Sequence, residues 1–234
     1  MPESRRVFLW SAAGAGALFT GAAALGAGRT SGRSGNGGEE GEADVTPAED
    51  LMREHGVLKR VLLVYDEVRE RIGAGKPFAA GTVARSAEIV RSFIEQYHEK
   101  LEEDHLFPRF RKKGKLVDLV DTLEAQHEAG RRLTDGILGL SKAGLETDGE
   151  RQRLAGVLHE FVRMYAPHEA REDTVLFPAI RQVVSEQEYD ELGDQFEKKE
   201  HELFGKEGFE GMVDRVAVIE KELGIYDLSR FTPR

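Results

Sequence analysis

Two segments of this chain carry the same pattern of polar residues. His98-x-x-x-Glu102 and His168-x-x-x-Glu172 lie 70 residues apart, and Leu-Phe-Pro follows each of them closely. Because residues four apart lie on one face of a helix, each segment projects an imidazole and a carboxylate in the same direction. The fold is therefore expected to bring two such helix faces together around one site.

The helices that precede these motifs repeat as well. His55 and His127 lie 72 residues apart, and they directly follow Glu54 and Gln126. Self-similarity at a nearly constant offset indicates a repeated structural unit. The unit is a helical hairpin with one histidine on its first helix and His-x-x-x-Glu on its second, and the chain uses it twice.

Four helical segments carry these two hairpins. Thr46 and Pro47 form a strong helix start, and the predicted helices cover about 47–72, 79–105, 116–140 and 147–183. No stretch shows convincing period-two alternation, so the fold class is all-α, as an up-down-up-down four-helix bundle over residues 46–183. Ser185 with Glu188 caps a fifth helix, and Val213–Leu223 supplies a sixth. Residues 184–234 are thus predicted to be a short helical C-terminal annex packed on the bundle.

Each predicted bundle helix places a histidine in an otherwise apolar stripe. Burying four imidazoles and two carboxylates without a compensating cation would be very costly. The chain has no cysteine, which excludes thiolate zinc sites, cysteine-held iron–sulfur clusters and disulfides. A donor set of imidazole and carboxylate without thiolate suits iron, with manganese or zinc as alternatives.

The order His … His-x-x-x-Glu … His … His-x-x-x-Glu over residues 50–178 resembles the hemerythrin-like cation-binding domain. This resemblance covers a little over half of the chain and includes all six positions. It implies a four-helix bundle that holds two iron ions in a non-haem di-iron centre. Carried over by position, four residues would be terminal ligands and two would bridge: His55, His98, His127 and His168, then Glu102 and Glu172.

The chain departs from the oxygen-carrying members of that family at one ligand position. They have a second histidine on the third helix, where this sequence has Arg131. Two histidines are candidates for a replacement ligand, His201 in the annex and His105, seven residues after His98. The carrier pattern would also choose Asp173 over Glu172, whereas repeat symmetry and a regular helix favour Glu172.

A ferritin-like di-iron arrangement is a competing interpretation. Glu95 and Glu124 each stand three residues before a histidine, in the Glu-x-x-His pattern of that architecture. The two motifs fall on consecutive helices, whereas the ferritin-like arrangement needs them on alternate ones. Chance occurrence in a chain with 43 acidic residues explains them better.

Three functions are compatible with this donor set. The first is a binding protein for dioxygen or a related small oxidant, peroxide or nitric oxide, that senses or buffers oxidants or iron. The second is a di-iron oxidoreductase with peroxidase-, NO-reductase- or ferroxidase-like turnover, favoured by the missing histidine at Arg131. The third is a bundle pinned by zinc or a single ion.

The N-terminus reads as an export signal. Arg5 and Arg6 precede Val-Phe-Leu and a long Ala/Gly/Leu run, which resembles the twin-arginine signal, so residues 1–28 are predicted to be a signal peptide. The resemblance implies recognition by the twin-arginine export machinery and a periplasmic or other extracytoplasmic location, with a membrane tether by an uncleaved signal as the alternative. Residues 29–45 are predicted to be a disordered linker. The formal net charge of −10 argues against nucleic-acid binding, and the mature domain is not expected to span a membrane.

Overall fold

A computed structural model describes residues 45–233 of the chain. These residues contain no strand, so the predicted all-α class is confirmed for this part. The predicted signal peptide with Arg5 and Arg6, and the linker up to residue 44, lie outside the described residues. Within the described part, no helix combines the length and the apolar character that crossing a bilayer requires.

The first two helices form one hairpin. Helix α1, Pro47–Gly73, starts where the Thr46 hydroxyl accepts a hydrogen bond from the Glu49 amide at 3.3 Å. Helix α2 is a continuous helical run over residues 80–113, and it ends at Gly114 in the left-handed conformation, with φ of +63°. The run extends beyond the end predicted near residue 105, because it accommodates Pro108 through a local widening described below.

The next two helices form the second hairpin. Helix α3, Val117–Ala143, ends at Gly144 with φ of +103°. Helix α4 covers residues 148–182 and begins with the predicted capping box between Thr147 and Glu150. Helix α1 packs against α2 and α4, and α3 packs against the same two helices. The buried side chains between these four helices form the main apolar core.

Two further helices make up most of the annex. Helix α5, Glu186–Phe204, starts at a Ser185/Glu188 capping box as predicted. Helix α6, Gly208–Leu223, starts earlier than the predicted Val213, and a short 3-10 turn, Leu228–Phe231, follows it. Both α5 and α6 pack on α1 and on the first half of α2. The annex therefore lies mainly against the first hairpin.

Candidate metal centre

Six side chains from the four bundle helices converge in the interior. The six are at most 4% exposed. We call them the inner cluster: His55 on α1, His98 and Glu102 on α2, His127 on α3, and His168 and Glu172 on α4. The structure thus brings together all six residues that the sequence pattern singled out first.

The Glu172 carboxylate faces histidines from three helices. Its Oε2 lies 3.0 Å from Nε2 of His168 and 3.3 Å from Nε2 of His55. Its Oε1 lies 4.0 Å from Nε2 of His127. A single ligand atom from each of Glu172, His127 and His168 falls within 4.8 Å of the other two, which is close enough for one metal ion.

Glu102 faces the other side of the cluster. Its Oε2 lies 3.4 Å from Nε2 of His127 and 3.9 Å from Nε2 of His98. The Nε2 atoms of His98 and His55 lie 3.0 Å apart, with ring centroids at 4.6 Å. Every histidine of the inner cluster therefore turns its Nε2 towards a carboxylate or another imidazole at the centre.

The opposite ring nitrogen of each histidine is held from outside. Each Nδ1 has a polar partner within 3.1 Å, and we call these four residues the outer partners: Asp173 for His55 (2.7 Å), Glu54 for His98 (2.7 Å), Glu103 for His127 (3.1 Å) and Gln126 for His168 (2.9 Å). An Nδ1–H that donates to such an acceptor fixes the tautomer and leaves the Nε2 lone pair free to bind a metal ion.

The inner carboxylates are not satisfied by hydrogen bonds. None of the four oxygens of Glu102 and Glu172 has a hydrogen-bond partner, and neither does Nε2 of His127, although all are fully buried. A buried carboxylate that lacks hydrogen bonds carries a large desolvation cost, which a cation bound between the carboxylates would offset. The donor set, nitrogen and oxygen without sulfur, fits iron and also manganese or zinc.

The ionisation states in the cluster depend on each other. Burial and repulsion from Glu172 raise the pKa of Glu102 to about 8. Burial opposes the charged form of His55, but the hydrogen bond to Asp173 and the negative charge of Glu172 outweigh it and raise its pKa to about 10. Burial and the neighbouring His55 lower the pKa of His98 well below its ordinary value. Protons and metal ions thus compete for the same atoms.

Besides a π-helical segment at Val90–His98 of α2, which α4 lacks, α2 and α4 are both widened at the two inner carboxylates. Both helices switch to π-helical geometry there, at Glu102–Leu106 and Glu172–Leu176. The proline of each Leu-Phe-Pro, Pro108 or Pro178, cannot donate a backbone hydrogen bond and crowds the carbonyl four residues earlier, which lies inside the widened segment. The repeated Leu-Phe-Pro therefore accounts for the same distortion in both hairpins.

Arg131 binds two carboxylates beside the inner cluster. Its guanidinium donates to Glu99 Oε2 at 2.8 Å and to Glu103 Oε1, which also accepts from His127. The other Glu99 oxygen accepts from the Tyr165 hydroxyl at 2.7 Å. This polar network flanks the inner cluster on the side of α3 without adding a donor to it.

The remaining candidate residues lie outside the inner cluster. His201 is exposed on α5, and His105 is half-buried with its ring 5.9 Å from that of Phe196. Asp173 accepts hydrogen bonds from His55 and from Lys59 at 2.7 Å each. It is therefore an outer partner of His55 and not a member of the inner cluster.

The ferritin-like candidates have other surroundings. Glu95 is buried with an oxygen 3.0 Å from Arg91, and Glu124 accepts from Arg111 at 2.5 Å. Neither contact belongs to the inner cluster.

Three outer partners were not singled out from the sequence as functional residues. A signal for them exists in the repeat itself, because Glu54 and Gln126 precede the first-helix histidines and Glu103 and Asp173 follow the inner carboxylates. Their contacts follow the same repeat. Glu54 and Gln126 each contact the second histidine of their own hairpin. Glu103 and Asp173 each contact the first histidine of the other hairpin.

Comparison with known proteins places these residues in context. The family model of the hemerythrin HHE cation-binding domain matches residues 46–148, a range that contains His55, His98, Glu102 and His127 and ends before the second motif. Uncharacterised proteins of Mycobacterium bovis and of two Mycobacterium tuberculosis strains are each 50% identical over 195 residues, covering 83% of this chain and 76% of the relative. No solved structure matches the chain significantly.

Proposed function

Since this chain carries a hemerythrin HHE cation-binding domain and belongs to one family with the mycobacterial proteins, we propose that its inner cluster holds two iron ions. His55, His98, His127 and His168 are the terminal ligands, and Glu102 and Glu172 bridge. Manganese or zinc is the alternative occupant that the same donors accept. The second motif, beyond residue 148, completes the site by repeat symmetry.

One observation carries this proposal. Two carboxylates lie fully buried without hydrogen bonds, and the Nε2 atoms of four imidazoles surround them. Buried polar groups are normally satisfied, and the convergence of two such carboxylates with four imidazoles distinguishes this cluster from Glu95, whose unsatisfied carboxylate lies 3.0 Å from the Arg91 guanidinium. A cation bound between the two carboxylates would offset the cost of burying them.

The chain's own residues prepare the site for a small oxidant. The outer partners fix the histidine tautomers, and two rings cover parts of the cluster with apolar surface: Phe177, stacked on His55 at 5.3 Å, and Phe107, stacked on His127 at 5.5 Å. Two iron ions would supply electrons and open coordination positions for dioxygen, peroxide or nitric oxide. We therefore favour a binding protein that carries, senses or buffers such molecules or iron.

A catalytic use of the same centre is the second candidate. Arg131 replaces a histidine ligand of the oxygen carriers, and its guanidinium is committed to Glu99 and Glu103. Fewer protein ligands leave more open positions, which favours peroxidase-, NO-reductase- or ferroxidase-like turnover. Sustained consumption of hydrogen peroxide by the iron-loaded protein would distinguish this use from reversible binding.

The proposal includes the organisation of the whole chain. Residues 46–183 form an up-down-up-down bundle, supported by the closed ring of contacts among α1–α4 and by the short connections between them. A twin-arginine signal over residues 1–28 exports the folded chain, and residues 29–45 link it to the bundle. A zinc or single-ion bundle is the structural alternative.

Ligand variants test the metal site directly. Glu102→Ala and His127→Ala each remove a residue from the centre of the cluster, so iron per chain should fall to near zero, as measured by elemental analysis of the purified proteins. His201→Ala and His159→Ala remove exposed histidines and serve as matched controls that should keep full iron. Unchanged iron in either cluster variant would refute the ligand assignment.

A further inference from the structure

We propose that the two halves of the centre are inequivalent, and that the half formed by His127 and His168 exchanges its metal ion faster and is reached from solvent. We call this the second half, and His55 with His98 on α1 and α2 the first half. This inference rests on the proposed metal site. It concerns the differences between the residues that surround the two copies of the His-x-x-x-Glu motif.

The repeat gives the two halves of the centre the same basic set of residues. Both halves offer one histidine from the first helix of a hairpin and one from the second, and each Nδ1 has an outer partner. Three of those partners are carboxylates, and the fourth is the amide of Gln126. Differences in behaviour between the halves are expected to follow from departures from the repeat such as this one.

The first departure is the acceptor on the second-helix histidine. Glu54 Oε2 lies 2.7 Å from Nδ1 of His98, whereas Gln126 Oε1 lies 2.9 Å from Nδ1 of His168. A carboxylate accepts a charge-assisted hydrogen bond and raises the basicity of the ligand nitrogen, and a neutral amide does so less. His168 is therefore the weaker donor of this pair towards a cation.

A cavity also adjoins the second half. A cavity of about 200 Å³ lies between α3 and α4, and its lining includes Gln126 and His168 themselves. Thr122 and Arg171, which are exposed, form part of its rim, and the buried Leu123 forms part of its wall. A small molecule or a hydrated ion entering here meets the weaker ligand first.

The second departure is the annex, which covers part of the first half. Helices α5 and α6 pack on α1 and on residues 80–98 of α2, and α5 also contacts residues 177–182 at the end of α4. Phe204 of α5 lies with its ring centroid 5.5 Å from that of Tyr97, the residue next to His98, and 5.6 Å from that of Phe93. The side of α2 that carries His98 is thus covered by a layer that has no counterpart in the repeat, whereas Asp173, the outer partner of His55, stays 20% exposed.

Iron release kinetics test the proposal. The full chain is loaded anaerobically with two equivalents of ferrous iron and mixed with excess chromophoric chelator, and we expect two phases of equal amplitude. Gln126→Glu should slow the fast phase about tenfold or more and leave the slow phase unchanged, because outer-partner changes shift metal affinity by about 10–100-fold. Glu54→Gln should accelerate only the slow phase by a similar factor. These two near-isosteric variants are matched controls for each other.

Two tryptophan variants test whether the cavity is the route to the second half. Thr122→Trp fills the rim and should slow the fast phase severalfold without changing the iron content, whereas Ala125→Trp places the same ring at an exposed position of α3 outside the lining. An unchanged fast phase in Thr122→Trp would overturn entry through this cavity.

The outcomes separate this inference from the proposed function. Two irons that leave in a single phase, or a Gln126→Glu variant that changes only the slow phase, would overturn the inequivalence while leaving the metal site intact. A chain that binds no iron would overturn the metal site and this inference together.

Discussion

Gly130 on α3 makes room for a buried hydrogen bond beside the centre. A Cβ atom at this position would lie 1.9 Å from the Tyr165 hydroxyl, which donates to Glu99 Oε1 at 2.7 Å. Glu99 in turn accepts from Arg131. The absence of a side chain at Gly130 therefore leaves room for Tyr165 to reach from α4 across to Glu99 on α2.

Substitution of this glycine tests the contact. Gly130→Ala should lower the free energy of unfolding by about 2–3 kcal/mol, because it forces the tyrosine aside and leaves buried polar groups unpaired. Gly139→Ala, on the same helix with no atom near the added Cβ, should instead raise it by about 0.5–1 kcal/mol. Urea denaturation measures both, and a Gly130→Ala protein as stable as Gly139→Ala would contradict the packing.

Single residues differ in how far the sequence could reveal them. His55, His98, His127 and His168 stand out because they repeat within apolar stripes. Outer partners such as Glu103 are hard to recognise in a chain with 43 acidic residues, since an acidic residue on a helix is most often solvated. The contact between Gly130 and Tyr165 joins two helices and leaves no local pattern.

Helices were predictable where capping chemistry marks them. Thr46 with Glu49, Thr147 with Glu150 and Ser185 with Glu188 each form the expected cap. The π-helical segments at Glu102 and Glu172 were not predicted, because a 3.6-residue period does not register a one-residue widening inside a helix. The start of α6 at Gly208 was also missed, since glycine is a poor helix former.

The attachment of α6 to α1 rests on a largely buried ion pair. Arg60 donates through Nε to Glu220 Oε1 at 3.0 Å and through a second nitrogen to Oε2 at 2.5 Å, and Glu220 is 6% exposed. Arg71 also donates to the Leu223 carbonyl at 2.6 Å. Removing the Arg60 guanidinium would leave the Glu220 carboxylate buried without its main partner.

Arg60→Ala should therefore lower the free energy of unfolding by about 1–3 kcal/mol. Arg69→Ala is the matched control on the same helix, because Arg69 pairs with Asp66 at the surface and its loss should cost about 0.5 kcal/mol or less. Equal costs for the two variants, measured by urea denaturation, would show that the annex is not held by this pair.

At the scale of the whole molecule, the sequence predicts an exported metal-binding bundle with an annex. The described residues 45–233 carry the bundle and the annex, and the repeat explains why four helices meet around one site. The side on which the annex packs could not be predicted, because its apolar faces are compatible with either hairpin. Only the packing shows that α5 and α6 lie on α1 and α2.

Export is testable with conservative changes. Replacing both Arg5 and Arg6 by Lys keeps the charge but removes the paired guanidinium groups, so the full-length precursor should accumulate in the cytoplasm of a host with the twin-arginine machinery. Arg29→Lys with Arg33→Lys in the linker is the matched control and should be exported normally. Fractionation and immunoblotting report the distribution, and equal export of both forms would contradict a twin-arginine signal.

The central claim is that six residues hold two iron ions which meet a small oxidant. Elemental analysis of the purified chain, combined with absorption spectra under air and under anoxia, tests it most directly. We expect two irons per chain and a visible charge-transfer band that appears with oxygen and clears on its removal. A colourless protein with stoichiometric zinc, or one without bound metal, would contradict it.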